Sequence, residues 1–119
     1  MFGQPGTGKL FFINPPLIIG IFSVLMIHAP VTPAESNGQT VYEGLCAACH
    51  GSGIPGIPQV GDTTAWESRI ATGIDTLYNH AINGFTGESG MTMQPKGGDE
   101  SLSDDEIKAA VDYMISNSR

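Results

Sequence analysis

The run Cys46-Ala47-Ala48-Cys49-His50 limits what this chain can fold into more than any other stretch. Two thiols three positions apart, followed at once by an imidazole, form the C-x-x-C-H pattern of covalent haem attachment. Each thiol adds to a haem vinyl group, and the adjacent histidine ligates the iron. Two intervening residues let both sulfurs reach one edge of the porphyrin, and the next side chain then falls beneath the ring. A redox C-x-x-C pair belongs near a βαβ pattern, which this sequence lacks. A structural zinc site takes four protein ligands, but no second cysteine pair exists and His28 and His80 stand isolated. A disulfide between the two thiols would leave His50 unexplained. The chain is therefore expected to wrap a flat, largely apolar prosthetic group.

Charge narrows the partners. All twelve acidic residues lie at or after Glu35, opposed there by Arg69, Lys96, Lys108 and Arg119, so 35–119 carries a net charge of −8. Haem propionates add to this. Nucleic acid, which needs a basic footprint, is excluded, and anionic lipid heads are disfavoured. The balance favours a partner with a basic or largely apolar docking surface, with plain solvation of a small surface as the competing explanation; for a haem electron carrier that partner would be an oxidase, a reductase or a dehydrogenase.

The N-terminus contains a decoy. Gly3 to Lys9 matches G-x-x-x-x-G-K, but Leu10 stands where a magnesium-binding Ser or Thr belongs, and no βαβ unit follows. Lys9 reads better as the positive start of an export signal. Leu17–Ile27 is an apolar run preceded by Pro15-Pro16, which can start a helix but not extend it backwards. As a helix this run covers roughly 20 Å at ~1.5 Å per residue, short of the ~30 Å hydrocarbon core. With small residues at Ala29 and Ala34, residues 1–34 read as a signal peptide cleaved near Ala34, or as a membrane anchor if 10–27 enters the bilayer uncleaved. Either places 35–119 outside the cytoplasm, in the periplasm or tethered to the inner membrane, with 30–36 as linker.

Within 35–119 the patterns are helical. Ser36 with Gln39 suggests a capping box for a helix from about Asn37 into the cysteine pair, with Gly38 and Tyr42 on one face. Four Gly and two Pro between Gly51 and Asp62 point to a loop. Thr64 with Glu67 suggests another cap, opening a short helix that carries Trp66 and Ile70. Ile74, Leu77, Tyr78, Ala81 and Ile82 fall at amphipathic spacing up to Gly84. Residues 85–102 read as a second long loop. Ser103 with Glu106 is the clearest capping box, with Ile107, Ala110, Val111 and Met114 as the inner face of the last helix. The expected class is all-α: four or five helices around one haem, which staples a domain too small to bury much on its own.

The far side of the iron needs a second ligand for an electron carrier; an open position would make a ligand-binding or peroxidatic haem. Candidates are Met91, Met93, Met114 and His80. Met114 lies on the core face of the last helix, and His80 is off the apolar stripe of its own. Met91 and Met93 lie in a loop able to wrap the distal face, and Pro95 stiffens the chain just after Met93.

C-A-A-C-H-G, Gly56-Ile57-Pro58 leading to Val60-Gly61-Asp62, Trp66, M-x-P-K-G at Met93–Gly97 and S-D-D-E-I-K-A-A-V-D-Y-M at 103–114 resemble a bacterial class I c-type cytochrome, most of all the c-five subgroup. The resemblance covers roughly 38–115. It implies thioethers from Cys46 and Cys49, His50 and Met93 as axial ligands, and the Pro58 carbonyl accepting from His50 Nδ1–H. It also implies a crossing of the terminal helices near Gly38/Tyr42 and Ala110/Tyr113. Trp66 would pack on the haem edge or donate to a propionate, with plain core packing the competing role, and Arg69 is a second propionate candidate. One departure is plain: the subgroup's extra cysteine pair is replaced here by Asp99 and Leu102, so 97–102 is expected to be looser. The function implied is a periplasmic monohaem electron shuttle and not an enzyme; the alternative is a membrane-anchored haem subunit of a larger complex.

Overall fold

The computed structural model describes residues 33–119 and, upstream of them, Gly3, Gly6 and Gly8. The apolar run 17–27, and with it the export or anchor reading, lies outside the described residues. Among those described, no helix is long and apolar enough to cross a membrane.

The chain opens with helix α1 (Pro33–Val41), passes through a π-helical stretch (Tyr42–Cys46) and runs on as α2 (Ala47–His50). Two expectations change here. The helix begins before Asn37, and Ser36 is an interior residue, not its cap. The helix already includes Pro33 and so takes in 33–36 of the expected linker. Gln39 does not reach back; its side-chain amide donates forward to Glu43 Oε1 at 2.8 Å. In the π stretch Ala47 N–H donates to Tyr42 O, five residues back. That wider turn immediately precedes the second cysteine and the histidine, a placement typical of functional segments.

Helix α3 (Thr63–Ile70) is capped by Asp62, whose Oδ1 accepts from Ala65 N at 3.0 Å. The expected Thr64 cap is therefore wrong by two residues, because a carboxylate stands where it can accept the orphan N–H. Helix α4 (Ile74–Asn83) ends at Gly84 as expected. The second long loop is not irregular throughout. Strands β1 (Phe85–Thr86) and β2 (Thr92–Met93) pair antiparallel, Phe85 opposite Met93 and Thr86 opposite Thr92. The turn between them closes through Gly90 N to Gly87 O at 3.0 Å. A short 3-10 turn (Pro95–Gly98) leads to α5 (Asp104–Ser116), where both halves of the Ser103/Glu106 capping box form.

The core is one cluster: Trp66, Ala81, Ile107, Val111, Met114 and Ile115. Its organising contact is α1 against α5. A Cβ built on Gly38 would lie 2.2 Å from Ala109 O and 2.7 Å from Ala109 C, so only glycine permits this crossing. One turn on, the Tyr42 and Tyr113 rings meet at 5.2 Å. The small helical fold and its terminal-helix crossing follow the expectation. The segment 97–102 carries polar contacts in place of the disulfide. Lys96 Nζ donates to Leu102 O at 2.8 Å and pairs with Asp104 at 3.0 Å. Asp99 N donates to Lys96 O, Leu102 N to Asp99 O, and Ser101 N to Asp99 Oδ1.

A candidate haem site

The continuous helix from Pro33 delivers Cys46, Cys49 and His50 to one edge of the core. Both thiols are free, Cys46 half-buried and Cys49 exposed. Burial pushes the Cys46 thiol above its usual pKa, and the nearby Cys49 adds to this. The His50 ring is half-buried, with Nδ1 2.8 Å from Pro58 O. A carbonyl only accepts, so Nδ1 must carry the proton, and the Nε2 lone pair is left for a metal. Burial holds the imidazole pKa below its usual value; the Pro58 carbonyl opposes this, and the Arg69 charge reinforces it. The neutral, ligating form is favoured.

The loop from Gly51 to Asp62 closes beneath this ring. Val60 N donates to His50 O at 2.8 Å. Trp66 is 4% exposed, and its indole N–H donates to Gln59 O at 2.9 Å. An indole has one donor, and it is engaged here with the Gln59 carbonyl. The Trp66 ring stands beside His50, centroids 6.3 Å apart. Arg69 turns its guanidinium back to Ala65 O on its own helix.

The four distal candidates separate by environment. Met114 is core. His80 stacks on Phe85 with ring centroids 3.8 Å apart. Met91 is 43% exposed. Met93 is half-buried in β2 and packs against the core cluster. Its backbone is held by the end of α4: Gly84 has φ 85°, and a Cβ there would lie 3.0 Å from Met93 O and 3.1 Å from Pro95 Cδ. Gly84 therefore serves the Met93 segment as well as the helix end, which the sequence signalled only as a stop. Two further residues carried no sequence signal. Ser118 is 1% exposed; its hydroxyl accepts from Gly61 N at 3.0 Å and donates to Met114 O at 2.7 Å. Gln59 braces the loop below His50.

These residues fit a haem. Half-buried Cys46, Val60, Ile70, Leu77, Ile82 and Met93 back onto the core while keeping apolar surface accessible. Two free thiols and an imidazole with an available Nε2 stand at the same edge.

Comparison with known proteins agrees. The family model described as cytochrome c oxidase, cbb3-type, subunit III matches residues 33–114. The chain is 44% identical over 82 residues to cytochrome c-555 of Chlorobaculum tepidum, covering 69% of this chain and 75% of that one. It is 39% identical over 80 residues to cytochrome c5 of Azotobacter vinelandii, covering 66% and 90%. A cytochrome c fold is also found in a solved structure described as an electron transfer complex of nitrite reductase with cytochrome c. That likeness has a TM-score of 0.61 at 33% identity, over 76% of this chain and 100% of the other. The chain belongs to the class I c-type cytochromes, of the c5 type, and carries one haem c bound covalently through Cys46 and Cys49.

Proposed function

We propose that this monohaem electron carrier shuttles single electrons between periplasmic redox partners of a respiratory or related chain, with His50 and Met93 as the axial ligands of its iron. The haem supplies a one-electron Fe(II)/Fe(III) couple. The protein's own residues orient and enclose it. Pro58 fixes the His50 tautomer, Trp66 walls the ring, and the Gly84 contact and Pro95 hold the Met93 segment. The observation that carries the reading is His50 Nδ1 against Pro58 O at 2.8 Å, which leaves Nε2 as the ring's free donor atom. Burial supports Met93 over Met91, since a ligand must be packed against the group it binds. A second strong ligand closes the iron to substrates, so the chain acts as a carrier and not as an enzyme. The acidic balance of 35–119 suits a partner with a basic or apolar docking surface, a reductase being one class, as in the nitrite reductase complex of the solved relative.

Carbon monoxide tests the closed site. Ferrous protein should leave the gas unbound at neutral pH, and Met93→Ala should bind it readily. Ready binding by the unaltered protein would favour the ligand-binding or peroxidatic reading instead.

One comparison favours a second reading. The matching family model is described by an oxidase subunit, in keeping with a haem subunit tethered by residues 10–27. Sequencing the N-terminus of the processed protein separates the two. A start near Glu35 leaves the free carrier, and a retained start leaves the tethered subunit.

A further inference from the structure

The nine-residue span from His50 to Pro58 must place one carbonyl accurately, yet between Gly51 and Asp62 it has no helix or strand to brace it. Its backbone groups need partners from elsewhere. One side chain supplies several of them. Gln59 Oε1 accepts from Gly53 N at 2.7 Å, and Gln59 Nε2 lies 3.0 Å from Cys49 O, 3.0 Å from Ile57 O and 3.4 Å from Ile54 O. An amide has two N–H groups, so the two nearer carbonyls take them and the third is secondary. Cys49 O belongs to the haem-attachment helix, and Ile57 O to the peptide entering Pro58. The same side chain thus ties the His50 helix to the segment carrying the Pro58 carbonyl. Its backbone works outward: Gln59 O accepts from Trp66 Nε1.

We infer that Gln59 is a positioning residue for the proximal histidine: its side-chain amide sets the Pro58 carbonyl on His50 Nδ1–H and so tunes the iron through the ring. This rests on His50 being the iron ligand. A carbonyl held on Nδ1–H makes the imidazole a more basic ligand and favours the ferric state. Loosening it favours the ferrous state.

Gln59→Met keeps length and removes all four hydrogen bonds. In the holoprotein the ferric electron paramagnetic resonance g values should shift, because ring orientation changes. The ferrous form should be favoured by about tenfold at fixed ambient potential, the low end of the range for partners of metal ligands. A variant less stable but with unchanged g values and potential would make Gln59 a loop brace only, and overturn the inference. A second measurement needs no variant. In the ferrous wild-type protein, the Gln59 side-chain amide protons and the Gly53 amide should exchange with solvent more slowly than free amides; free-amide rates would overturn it too. Failure of the His50 assignment would look different: the His50 ring protons of the wild type would lack the large upfield shift of an imidazole lying against a porphyrin.

Discussion

Gly38→Ala sets two effects against each other, and the structure decides the sign. In an exposed helix, alanine is worth about 1 kcal/mol over glycine. Here the new Cβ would lie 2.2 Å from Ala109 O and 2.7 Å from Ala109 C. Both atoms are backbone, so no side-chain rotation relieves the contact, and α1 must draw back from α5 by about 1 Å. A gap of ~0.5–1 Å forfeits a quarter to a half of the dispersion well for each contact along the crossing. Overpacking of a well-filled core costs about 1–3 kcal/mol and sometimes more. With backbone on the receiving side the upper end applies, leaving a net loss of about 2 kcal/mol after the helix gain. For a domain of this size that lowers Tm by about 8–16 °C. Thermal and guanidinium unfolding of the holoprotein, followed by far-ultraviolet circular dichroism, measures it. A variant as stable as the parent, or more so, would refute the close crossing.

The remaining predictions concern charge and the staple. The Ser103 backbone N–H and hydroxyl hold the Glu106 carboxyl below its usual pKa, and the Ser101 hydroxyl and N–H do the same for Asp99. Lowered folded-state values mean that their stabilisation is present above the unfolded values near ~4 and is lost as pH falls through the folded ones. Guanidinium midpoints should therefore drop in acid, less steeply in Glu106→Gln; an equal slope would count against the cap. The Tyr78 phenol is pushed up to about 12 by burial and by its 2.7 Å bond to Asp112. Its stabilising contribution is complete below ~10 and disappears as pH rises toward the folded value. Ultraviolet titration should show Tyr78 ionising late and moving earlier in Asp112→Ala. Replacing both Cys46 and Cys49 with alanine should abolish covalent haem retention and the cooperative thermal transition, since the core alone is small; a native-like transition without haem would refute this.

Much of the fold was legible because its signals are local. The C-A-A-C-H run, the Ile74–Ile82 stripe and the Ser103/Glu106 box each state their structure within a few residues. Helix starts were less legible where two caps competed. Asp62 outdid Thr64, and Ser36 lies inside a helix it was expected to open. Long-range polar contacts were invisible. Nothing near Ser118 indicates that its hydroxyl holds Gly61 N, 57 positions away. Gln59 reads as an ordinary loop residue until the carbonyls of Cys49 and Ile57 are seen around it. The Lys96 contacts to Leu102 O and Asp104 likewise leave no pattern in sequence.

The measurement that bears most directly on the account is an optical spectrum of the purified protein, ferric and ferrous, extended to the weak near-infrared band of methionine sulfur on ferric haem. His50/Met93 ligation predicts that band in the ferric form, sharp low-spin bands on reduction, and loss of the near-infrared band in Met93→Ala. A ferric spectrum without the band, or one that Met93→Ala leaves unchanged, would contradict it.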